Sequence, residues 1–576
     1  MTYRLNSTRG SVGRRALLRG AAGTAGLAAA FAIACGGDSD SDDSSAGSSS
    51  SSGNGTAAAA DSARPAELAN AKSGGTFNYD QSDEPITLDN HRSETPGSAH
   101  AANLAYNHLL RRWEDFVKDP GKIFIESELA QAWEQVDQTT YKFNLVQNAK
   151  WHDIAPVNGR ALTSADVKYS IERMKGSDPN LRTRSAMEPI ETIETPDDHT
   201  VVLKTREPFA ALINNVGHTW NIIMAPELGE TDDVNRKAVG TGPFIFRDWQ
   251  RGVALRYEKN KEYWRQGQPF FDRVIVRVVP DRAARATNFR SGETDIWGGA
   301  PPSVPYETIE EMKKAVPEVE EIRREGSNNS GYKAYFNTTA APFNDKRVRQ
   351  AFLYGSDYEA IRKIFGGLAQ RAAPMPLASV WGLKEEELPA TDLAKAKQLL
   401  EAAGYNATNP IKVQTAVSQE YGGTTLAQIV QQIMKPAGFE IEINQMENAA
   451  WVQRVYRGGQ DYQMSSHSDW SWEDPDRGLY SYFHSKGVAN NTHFNNPQAD
   501  ALLAKQRGEF DEEARKKTVR ELQLLLVDEA PDVWLVSPGS IELHRKRLNN
   551  YKQMQMGNSN FYRQWEFTWF DPMPNR

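Results

Sequence analysis

The 576-residue chain has a single cysteine, Cys35, so no disulfide can form within it. It also lacks clustered cysteines, a His-Glu-x-x-His helix and a Gly-x-Ser-x-Gly elbow, and its ten histidines are scattered. The sequence therefore offers no metal site, no cofactor site and no catalytic residue. These absences argue against an exported hydrolase, the main rival class, and we expect a protein that is not an enzyme.

Basic residues are outnumbered by acidic residues once the N-terminal segment 1–34 is left out. Five of the 67 lysines and arginines lie within residues 1–34, and the rest of the chain holds 62 basic and 75 acidic residues, a net charge of −13. Because a nucleic-acid surface needs a basic patch, no nucleic-acid partner is expected. About 500 residues follow residue 72, too many for one hydrophobic core, so we predict two or three domains.

A membrane-spanning run is missing at the N-terminus, because the small, apolar stretch at 21–34 is too short and too rich in Ala and Gly. With its five arginines and no acidic residue, segment 1–34 is typical of a bacterial export signal. Arg14 and Arg15 resemble the pair of a twin-arginine signal, although a general export signal also begins with basic residues. Cys35 directly follows this stretch and resembles the lipobox cysteine of bacterial lipoproteins, whose thiol receives a diacylglycerol.

Residues 35–72 consist largely of Ser, Gly, Asp and Ala. Such a composition cannot offset the entropy of ordering, so we predict a disordered tether. A lipid at Cys35 and this tether would hold a globular body close to a membrane while leaving it free to turn. We therefore expect an extracytoplasmic protein anchored to the cell membrane, in the periplasm or on the outer face of the cytoplasmic membrane.

Beyond the tether, strand-like and helix-like segments alternate, which predicts an α/β fold. Residues 140–145 show the period-two pattern of a half-buried strand, and residues 274–279 form the apolar run of a buried strand. Cap residues and apolar faces predict three helices. The first helix begins at Thr163 and Asp166 and should bury Val167, Ile171 and Met174. The second is capped by Asp392, ends at Gly404 and should bury Leu393, Ala396, Leu399, Leu400 and Ala403. The third covers about 511–529 and should bury Leu522, Leu525 and Leu526.

Several segments resemble, in order and at family spacing, family 5 of the extracytoplasmic solute-binding proteins. These are receptors of ABC importers for dipeptides, oligopeptides and nickel. The segments are Gly74-Gly75-Thr76-Phe77 with Pro85-Ile86-Thr87-Leu88-Asp89, Leu129-Ala130-Gln131-Ala132-Trp133-Glu134 through Lys150-Trp151-His152-Asp153 and Asn158-Gly159-Arg160, Gly240-Thr241-Gly242-Pro243-Phe244 with Asn260-Lys261-Glu262-Tyr263-Trp264, Ala334-Tyr335-Phe336-Asn337, Pro342-Phe343-Asn344-Asp345, and Asp528-Glu529-Ala530-Pro531.

This resemblance implies a two-lobed periplasmic-binding-protein-like fold of the large, three-domain type II variant, whose lobes close on a ligand cleft by hinge motion. Lobe I is then expected at 73–112, 240–300 and 515–576 with an inserted subdomain at 113–239, and lobe II at 301–514. The Gly240-Thr241-Gly242-Pro243 segment is expected near the hinge, where glycine permits unusual backbone angles. Trp151-His152-Asp153 is expected to be a structural turn and not a metal or acid–base site.

The function that the resemblance implies is capture of a peptide-like or other small polar solute and its delivery to an ABC transporter permease, by a monomer. An oligosaccharide or a metal chelate is an alternative ligand on the same fold. The sequence does not discriminate import from sensing.

In peptide-binding members of the family, an Asp shortly before an Asp-Pro pair holds the α-amino group of the ligand, since a charge-assisted bond in a closed cleft is strong. Matching Asp474-Pro475 to that pair puts Ser471 where the Asp would stand. Asp469 lies two residues earlier, and Trp470 and Trp472 offer faces for a sugar ring. A surface loop with two packed tryptophans is the alternative interpretation of this segment.

A second candidate segment precedes the helix at Asp392. Met375-Pro376-Leu377-Ala378-Ser379-Val380-Trp381-Gly382 resembles the family's Pro-rich segment over the cleft, where peptide receptors often place an Arg for the ligand carboxylate. Here Ser379 and Trp381 are the candidate contacts, and no Arg lies between Arg371 and Asp392. Because both charged anchors are missing at the aligned positions, the sequence favours a longer or neutral ligand over a zwitterionic dipeptide. The polar loop 90–98 is a further segment that can reach the cleft.

Overall fold

The computed structural model describes most of the chain beyond the predicted tether. The described residues are 68–93, 95–114, 123–178, 180–181, 184–299, 304–326, 331–377, 379–418, 423–456, 459, 461–469, 474–551 and 565–574. They belong to one compact unit, Asn54–Arg576. Arg14, Arg15, Cys35 and the tether up to residue 67 lie outside them. Within the described ranges, no helix combines the length and apolar character needed to cross a membrane.

The first part of the unit builds a four-stranded sheet, a separate antiparallel four-stranded sheet and a two-stranded ribbon. Its strands are β1 (Thr76–Gln81), β2 (Leu110–Glu114), β3 (Ile123–Ser127), β4 (Ala130–Gln135), β5 (Thr140–Leu145), β6 (Ile190–Asp197), β7 (Thr200–Thr205), β8 (Phe244–Gln250), β9 (Ala254–Lys259), β10 (Arg273–Val278), β11 (Ile296–Gly299) and β12 (Val319–Arg324). Its helices are α1 (Pro96–Ala105), α2 (Ser164–Lys175), α3 (Arg184–Met187), α4 (Leu212–Val216), α5 (Pro226–Gly229), α6 (Arg282–Ser291) and α7 (Tyr306–Ala315). The sheets run β1-β10-β9-β8, β4-β5-β7-β6 and β2-β3.

The second part builds one mixed six-stranded sheet in the order β14-β18-β13-β17-β15-β16. Its strands are β13 (Gly331–Phe336), β14 (Gln370–Arg371), β15 (Ile411–Ser418), β16 (Phe439–Met446), β17 (Met464–Asp469) and β18 (Asp532–Ser537). Its helices are α8 (Lys346–Gly355), α9 (Tyr358–Phe365), α10 (Leu393–Ala402), α11 (Gly423–Met434), α12 (Asn448–Trp451), α13 (Ser481–Phe483), α14 (Pro497–Arg507) and α15 (Glu512–Glu529).

The chain then returns to the first part. Strand β19 (Ser540–Arg545) inserts between β11 and β12, and β20 (Leu548–Asn549) pairs with β21 (Trp569–Phe570). Because β12 leads into β13 and β18 leads into β19, two neighbouring connections join the parts, at 325–330 and 538–539. Each part has its own large hydrophobic core. The fold is therefore α/β and two-lobed, as predicted.

The helices and strands that pack in the second hydrophobic core define where lobe II begins and ends along the chain. Helix α15 buries Val519, Leu522 and Leu526 in the second core, and β18 lies inside the six-stranded sheet. Helix α7 and strand β12 instead pack with β19 in a small third core. Lobe II thus spans β13 to β18, whereas the predicted boundaries at 301 and 514 fall before α7 and inside α15.

Most of the local predictions are confirmed. Strand β5 covers 140–145, and β10 covers the predicted apolar run except for its last residue, Val279. Helix α2 begins with a capping box, in which the Asp166 carboxylate accepts the backbone N–H of Thr163 at 2.9 Å. Asp392 caps α10 by accepting the N–H of Lys395 at 2.9 Å, but Leu393, predicted inward, is 38% exposed. It precedes the buried stripe of that helix.

The Gly240-Thr241-Gly242-Pro243 segment packs within lobe I and not at either interlobe connection. A Cβ at Gly240 would lie 1.9 Å from the carbonyl oxygen of Ala105, so glycine is needed for close approach and not for an unusual backbone angle. The His152 ring bridges the segment, contacting the Gly242 carbonyl at 3.0 Å and accepting the Gly240 N–H at 3.4 Å. Burial lowers the pKa of His152 to about 4. The structural interpretation of His152 is thus supported.

Candidate ligand-binding site

The predicted ligand segment runs from Asp469 to the residue before Asp474, and it begins at a strand end in lobe II. Strands β15, β17 and β18 all end at one edge of the six-stranded sheet, because β15 is parallel to β17 and β13 is antiparallel to both β17 and β18. Asp469 ends β17, in register with Gly331. Ligands of open α/β sheets bind outside the carboxyl ends of the strands. The backbone thus puts Asp469 at the expected edge, while its side chain and Trp470, Ser471 and Trp472 lie outside the described part.

Asp474, which directly follows that segment, is a fully bonded, buried carboxylate. Its Oδ1 accepts from Arg515 Nη2 and from the backbone N–H of Asp476, both at 2.8 Å. Its Oδ2 accepts from Arg515 Nη1 and from Asn214 Nδ2, both at 3.0 Å. Burial acts to raise the pKa of Asp474, but the Arg515 charge and these hydrogen bonds outweigh it and lower that pKa. Asp474 therefore stays charged and fixes the end of the ligand segment.

Arg515 also supports the Pro-rich segment. Its guanidinium lies 5.0 Å from the ring centre of Trp381, a cation–π contact. On the same helix, α15, Gln523 accepts the N–H of Met375 at 3.1 Å and donates to the carbonyl of Trp381 at 2.8 Å. Segment 375–382 is thus fastened to α15 near both of its ends.

Ser379 closes a turn within this segment. Its Oγ accepts the backbone N–H of Trp381 at 3.1 Å, and its own N–H donates to the carbonyl of Pro376 at 2.9 Å. The residue is buried, with 7% exposure. The structure brings Trp381 and Asp474 together at Arg515 of α15, and the ligand contacts of Ser379 and Trp381 stay predictions.

Lobe I contributes Asn214, His218 and Trp220 to the boundary between the lobes. Trp220 belongs to the second core, and Arg477 of lobe II lies 5.4 Å from its ring centre. The His218 ring stacks on Trp220 with the ring centres 5.0 Å apart. Burial, followed by the charges of Arg477 and Arg112, lowers the pKa of His218 well below its ordinary value, so the ring is neutral. An aromatic pair and a buried arginine therefore lie at the lobe boundary.

Of the predicted loop at 90–98, residues 96–98 begin helix α1, and Asn90 lies behind this boundary. Asn90 is fully buried, and its Nδ2 donates to the carbonyl of Thr219 at 3.2 Å. At this end the loop therefore supports residues 218–220 from behind and is shielded from solvent.

Sequence reasoning did not find Arg515, Asn214, Trp220 or Arg477. In the sequence Asp474 serves only to align the segment with its family counterpart, and its partners lie 41 and 260 residues away. A single sequence carries no signal for such pairs, since neither spacing nor periodicity links them. In the part of the chain that the structure describes, no group of three His, Cys, Asp or Glu side chains is placed to hold a metal ion.

Two α/β lobes joined by two neighbouring connections, with polar and aromatic side chains where they meet, define the class of two-lobed binding proteins. The model of the bacterial extracellular solute-binding proteins, family 5 Middle, matches residues 125–490, and the chain belongs to this family. It is therefore a solute-binding protein of an extracytoplasmic family, which confirms the predicted family and fold.

Individual relatives are distant in sequence but similar over most of their length. The chain is 26% identical to heme-binding protein A of Haemophilus influenzae, over 80% of this chain and 87% of that protein. It is also 26% identical to di/tripeptide-binding protein 2 of Pseudomonas aeruginosa, over 77% and 87%. The structure of AgaA from A. tumefaciens R10 in complex with agropinic acid matches with a TM-score of 0.72 and 27% identity, covering 86% of this chain and 99% of that one. All three are binding proteins.

Proposed function

We propose that the protein is a membrane-anchored extracytoplasmic receptor that captures a peptide-like or other small polar solute and delivers it to the permease of an ABC importer. The observation that carries this proposal is the position of the β17 end. It lies at the carboxyl edge of the lobe II sheet, and Asp474, five residues further along the chain, is bonded to Asn214 of lobe I. The P. aeruginosa relative, named for di- and tripeptides, supports a peptide ligand.

Within this proposal, Asp469 is the anchor for a ligand amine. A carboxylate at a strand end beside the lobe boundary suits a charge-assisted hydrogen bond to an ammonium group. Ser471 cannot supply that charge. Trp470, Trp472, Ser379 and Trp381 are the remaining proposed contacts, for side chains or rings of the ligand.

A second candidate ligand is a sugar-like or acidic solute without a free amine. Two observations favour it: Ser471 stands where peptide receptors have an Asp, and the solved structure of AgaA holds agropinic acid. An oligosaccharide and a metal chelate are tested in the same screen, because the sequence is compatible with both as alternative ligands.

A thermal-shift screen of the full-length Cys35→Ser protein tests the ligand class. The probes are a set of di- to tetrapeptides, a set of oligosaccharides, agropinic acid, heme, and Ni²⁺ with histidine. A ligand at 100 times its dissociation constant stabilises the folded state by about 2.7 kcal/mol, which a melting curve resolves. Peptides should raise the melting temperature most. If no probe class raises it, the receptor proposal is contradicted.

The anchor is tested separately by cell fractionation. The wild-type chain should be found with membranes, and Cys35→Ser should move it to the soluble extracytoplasmic fraction. Replacing Arg14 and Arg15 by lysines should block export if the twin-arginine route is used and leave it intact if the general route is used. A Cys35→Ser protein that stays membrane-bound would contradict lipid anchoring. Size-exclusion chromatography with light scattering checks the proposed monomer.

A further inference from the structure

Asn214 makes a hydrogen bond that crosses from one lobe to the other. It lies on α4, whose Leu212 and Val216 pack in the first core. Its Nδ2 donates at 3.0 Å to Oδ2 of Asp474. Asp474 belongs to lobe II, where the following helical turns pack Leu479 in the second core. Any motion that separates the lobes at this point must break the bond.

The target of Asn214 is held in place by lobe II alone. Three of the four hydrogen bonds to Asp474 come from Arg515 and from the Asp476 backbone. Arg515 is in turn bonded to the Gln506 carbonyl at 3.1 Å and to the Gln506 side chain at 2.8 Å. Asp474 therefore presents a rigid, charged acceptor to lobe I, and hydrogen bonds to charged acceptors are stronger than neutral ones.

A second contact runs alongside the first. The backbone N–H of Ala210 donates to the carbonyl of Arg507 at 2.8 Å, and the Arg507 guanidinium lies 5.1 Å from the ring centre of Phe209. The carbonyl of Phe209 accepts from the Tyr141 hydroxyl at 3.0 Å, which ties this stretch to strand β5. Residues 209–214 thus form a short contact strip on lobe I. It is distinct from the interlobe connections after β12 and β18.

We propose that Asn214 is a positioning residue that stabilises the closed arrangement of the lobes without touching the ligand. The bond exists only when the lobes meet, so it favours that arrangement over an open one. A ligand that binds the closed state gains affinity in proportion to the population of that state. Asp474 is also the first described residue after Asp469. The link to affinity rests on the proposed receptor function; the effect on the lobes does not.

The test measures the distance between the two lobes and needs no ligand. Full-length Cys35→Ser protein has no cysteine, so Glu134→Cys on β4 and Lys412→Cys on β15 introduce two spin-label sites, one on each lobe. Both side chains are exposed, at 46% and 74%. Double electron–electron resonance then gives the distribution of distances between the lobes.

The variants are Asn214→Asp, which sets a second carboxylate against Asp474, and Asn214→Ala, which only removes the bond. Asn215→Ala is the matched control, because Asn215 lies on the same helix and donates within lobe I to the Ala186 carbonyl at 3.1 Å. We expect Asn214→Asp to lower the ratio of closed to open lobes roughly tenfold, Asn214→Ala less, and Asn215→Ala not at all.

Two results would overturn the proposal. One is an Asn214→Asp distribution that matches the parent, and the other is a parent that never occupies the distance of the contact geometry. If Asn214→Asp fails to fold by circular dichroism, the comparison of Asn214→Ala with Asn215→Ala decides. A failed ligand screen leaves these distances unaffected, so failure of the receptor proposal and failure of this one are distinguishable.

Discussion

Arg515 and Asp474, 41 residues apart in the chain, form a buried two-pronged ion pair with N–O distances of 2.8 and 3.0 Å. The pair joins helix α15 to the end of the proposed ligand segment. Through Trp381 on one side and Asn214 on the other, it also joins the Pro-rich segment and lobe I. One interaction thus connects helix α15, the Pro-rich segment and lobe I at Asp474.

Removing the cation of this pair should be costly. In Arg515→Ala the buried Asp474 carboxylate loses its counter-charge, and we expect the free energy of unfolding to fall by roughly 3–5 kcal/mol. Arg520→Ala is the control, since Arg520 is on the same helix but pairs with Glu387 at a surface where its side chain is 58% exposed. It should cost no more than about 1 kcal/mol. Urea unfolding followed by fluorescence measures both, and equal losses would contradict the assignment.

Local features of this fold were predictable, and long-range features were not. The capping box of Thr163 and Asp166 and the cap at Asp392 involve neighbouring residues, so sequence spacing alone reveals them. The prediction for Leu393 was wrong because its exposure depends on which face of α10 packs against α8. Gly240 was correctly singled out but for the wrong reason, since its contact with Ala105 bridges 135 positions of chain and leaves no sequence pattern.

The candidate site divides in the same way. The family motifs point to the Asp474-Pro475 pair and to the Pro-rich segment, but they align Ser471, and not Asp469, with the anchor position. Asn214 and Arg515 were missed, because their roles arise only when two lobes and a C-terminal helix meet around Asp474. A resemblance to a family predicts the backbone fold, whereas contacts between side chains that are distant in sequence are seen only in the structure.

Buried neutral histidines should make the protein less stable in mild acid. Burial lowers the pKa of His152 to about 4, while an unfolded histidine titrates near 6.5. Between these values the unfolded state binds more protons, so stability present above about pH 6.5 is lost as the pH falls towards about 4. The loss for His152 should reach about 3 kcal/mol. His91, whose pKa is also lowered to about 4 chiefly by burial, should add a similar amount.

Urea unfolding between about pH 7 and pH 4 checks this expectation. His152→Gln is expected to be less stable than wild type at neutral pH, because it loses the fitted contacts to Gly240 and Gly242. Its stability should nevertheless depend on pH less steeply, by up to one proton. An unchanged slope would mean that His152 is not held neutral in the folded state.

Because the backbone of Gly240 lies close to the backbone of Ala105, adding a single methyl group at Gly240 should strongly destabilise the fold. In Gly240→Ala the new Cβ would lie 1.9 Å from the Ala105 carbonyl oxygen, and backbone on both sides must shift. We expect a loss of roughly 3 kcal/mol or more in the free energy of unfolding. Gly367→Ala is the control, because no atom lies within 4 Å of a Cβ built there. A melting temperature for Gly240→Ala close to that of the control would refute the packing explanation.

The strand-end position of Asp469 separates it from Ser471 as the ligand anchor. If Asp469 holds a ligand amine, Asp469→Asn should weaken binding of a peptide with a free N-terminus by roughly 30-fold or more, because a charged partner is lost from a closing cleft. Ser471→Ala should leave that affinity within about twofold, since a hydroxyl contributes no charge. Isothermal titration calorimetry with the best peptide of the screen, and with its N-acetylated form as the matched ligand, measures both variants. The acetylated peptide should bind wild type weakly and be insensitive to Asp469→Asn. The reverse pattern, with Ser471→Ala harmful and Asp469→Asn neutral, would transfer the anchor to Ser471 and favour a ligand without an amine.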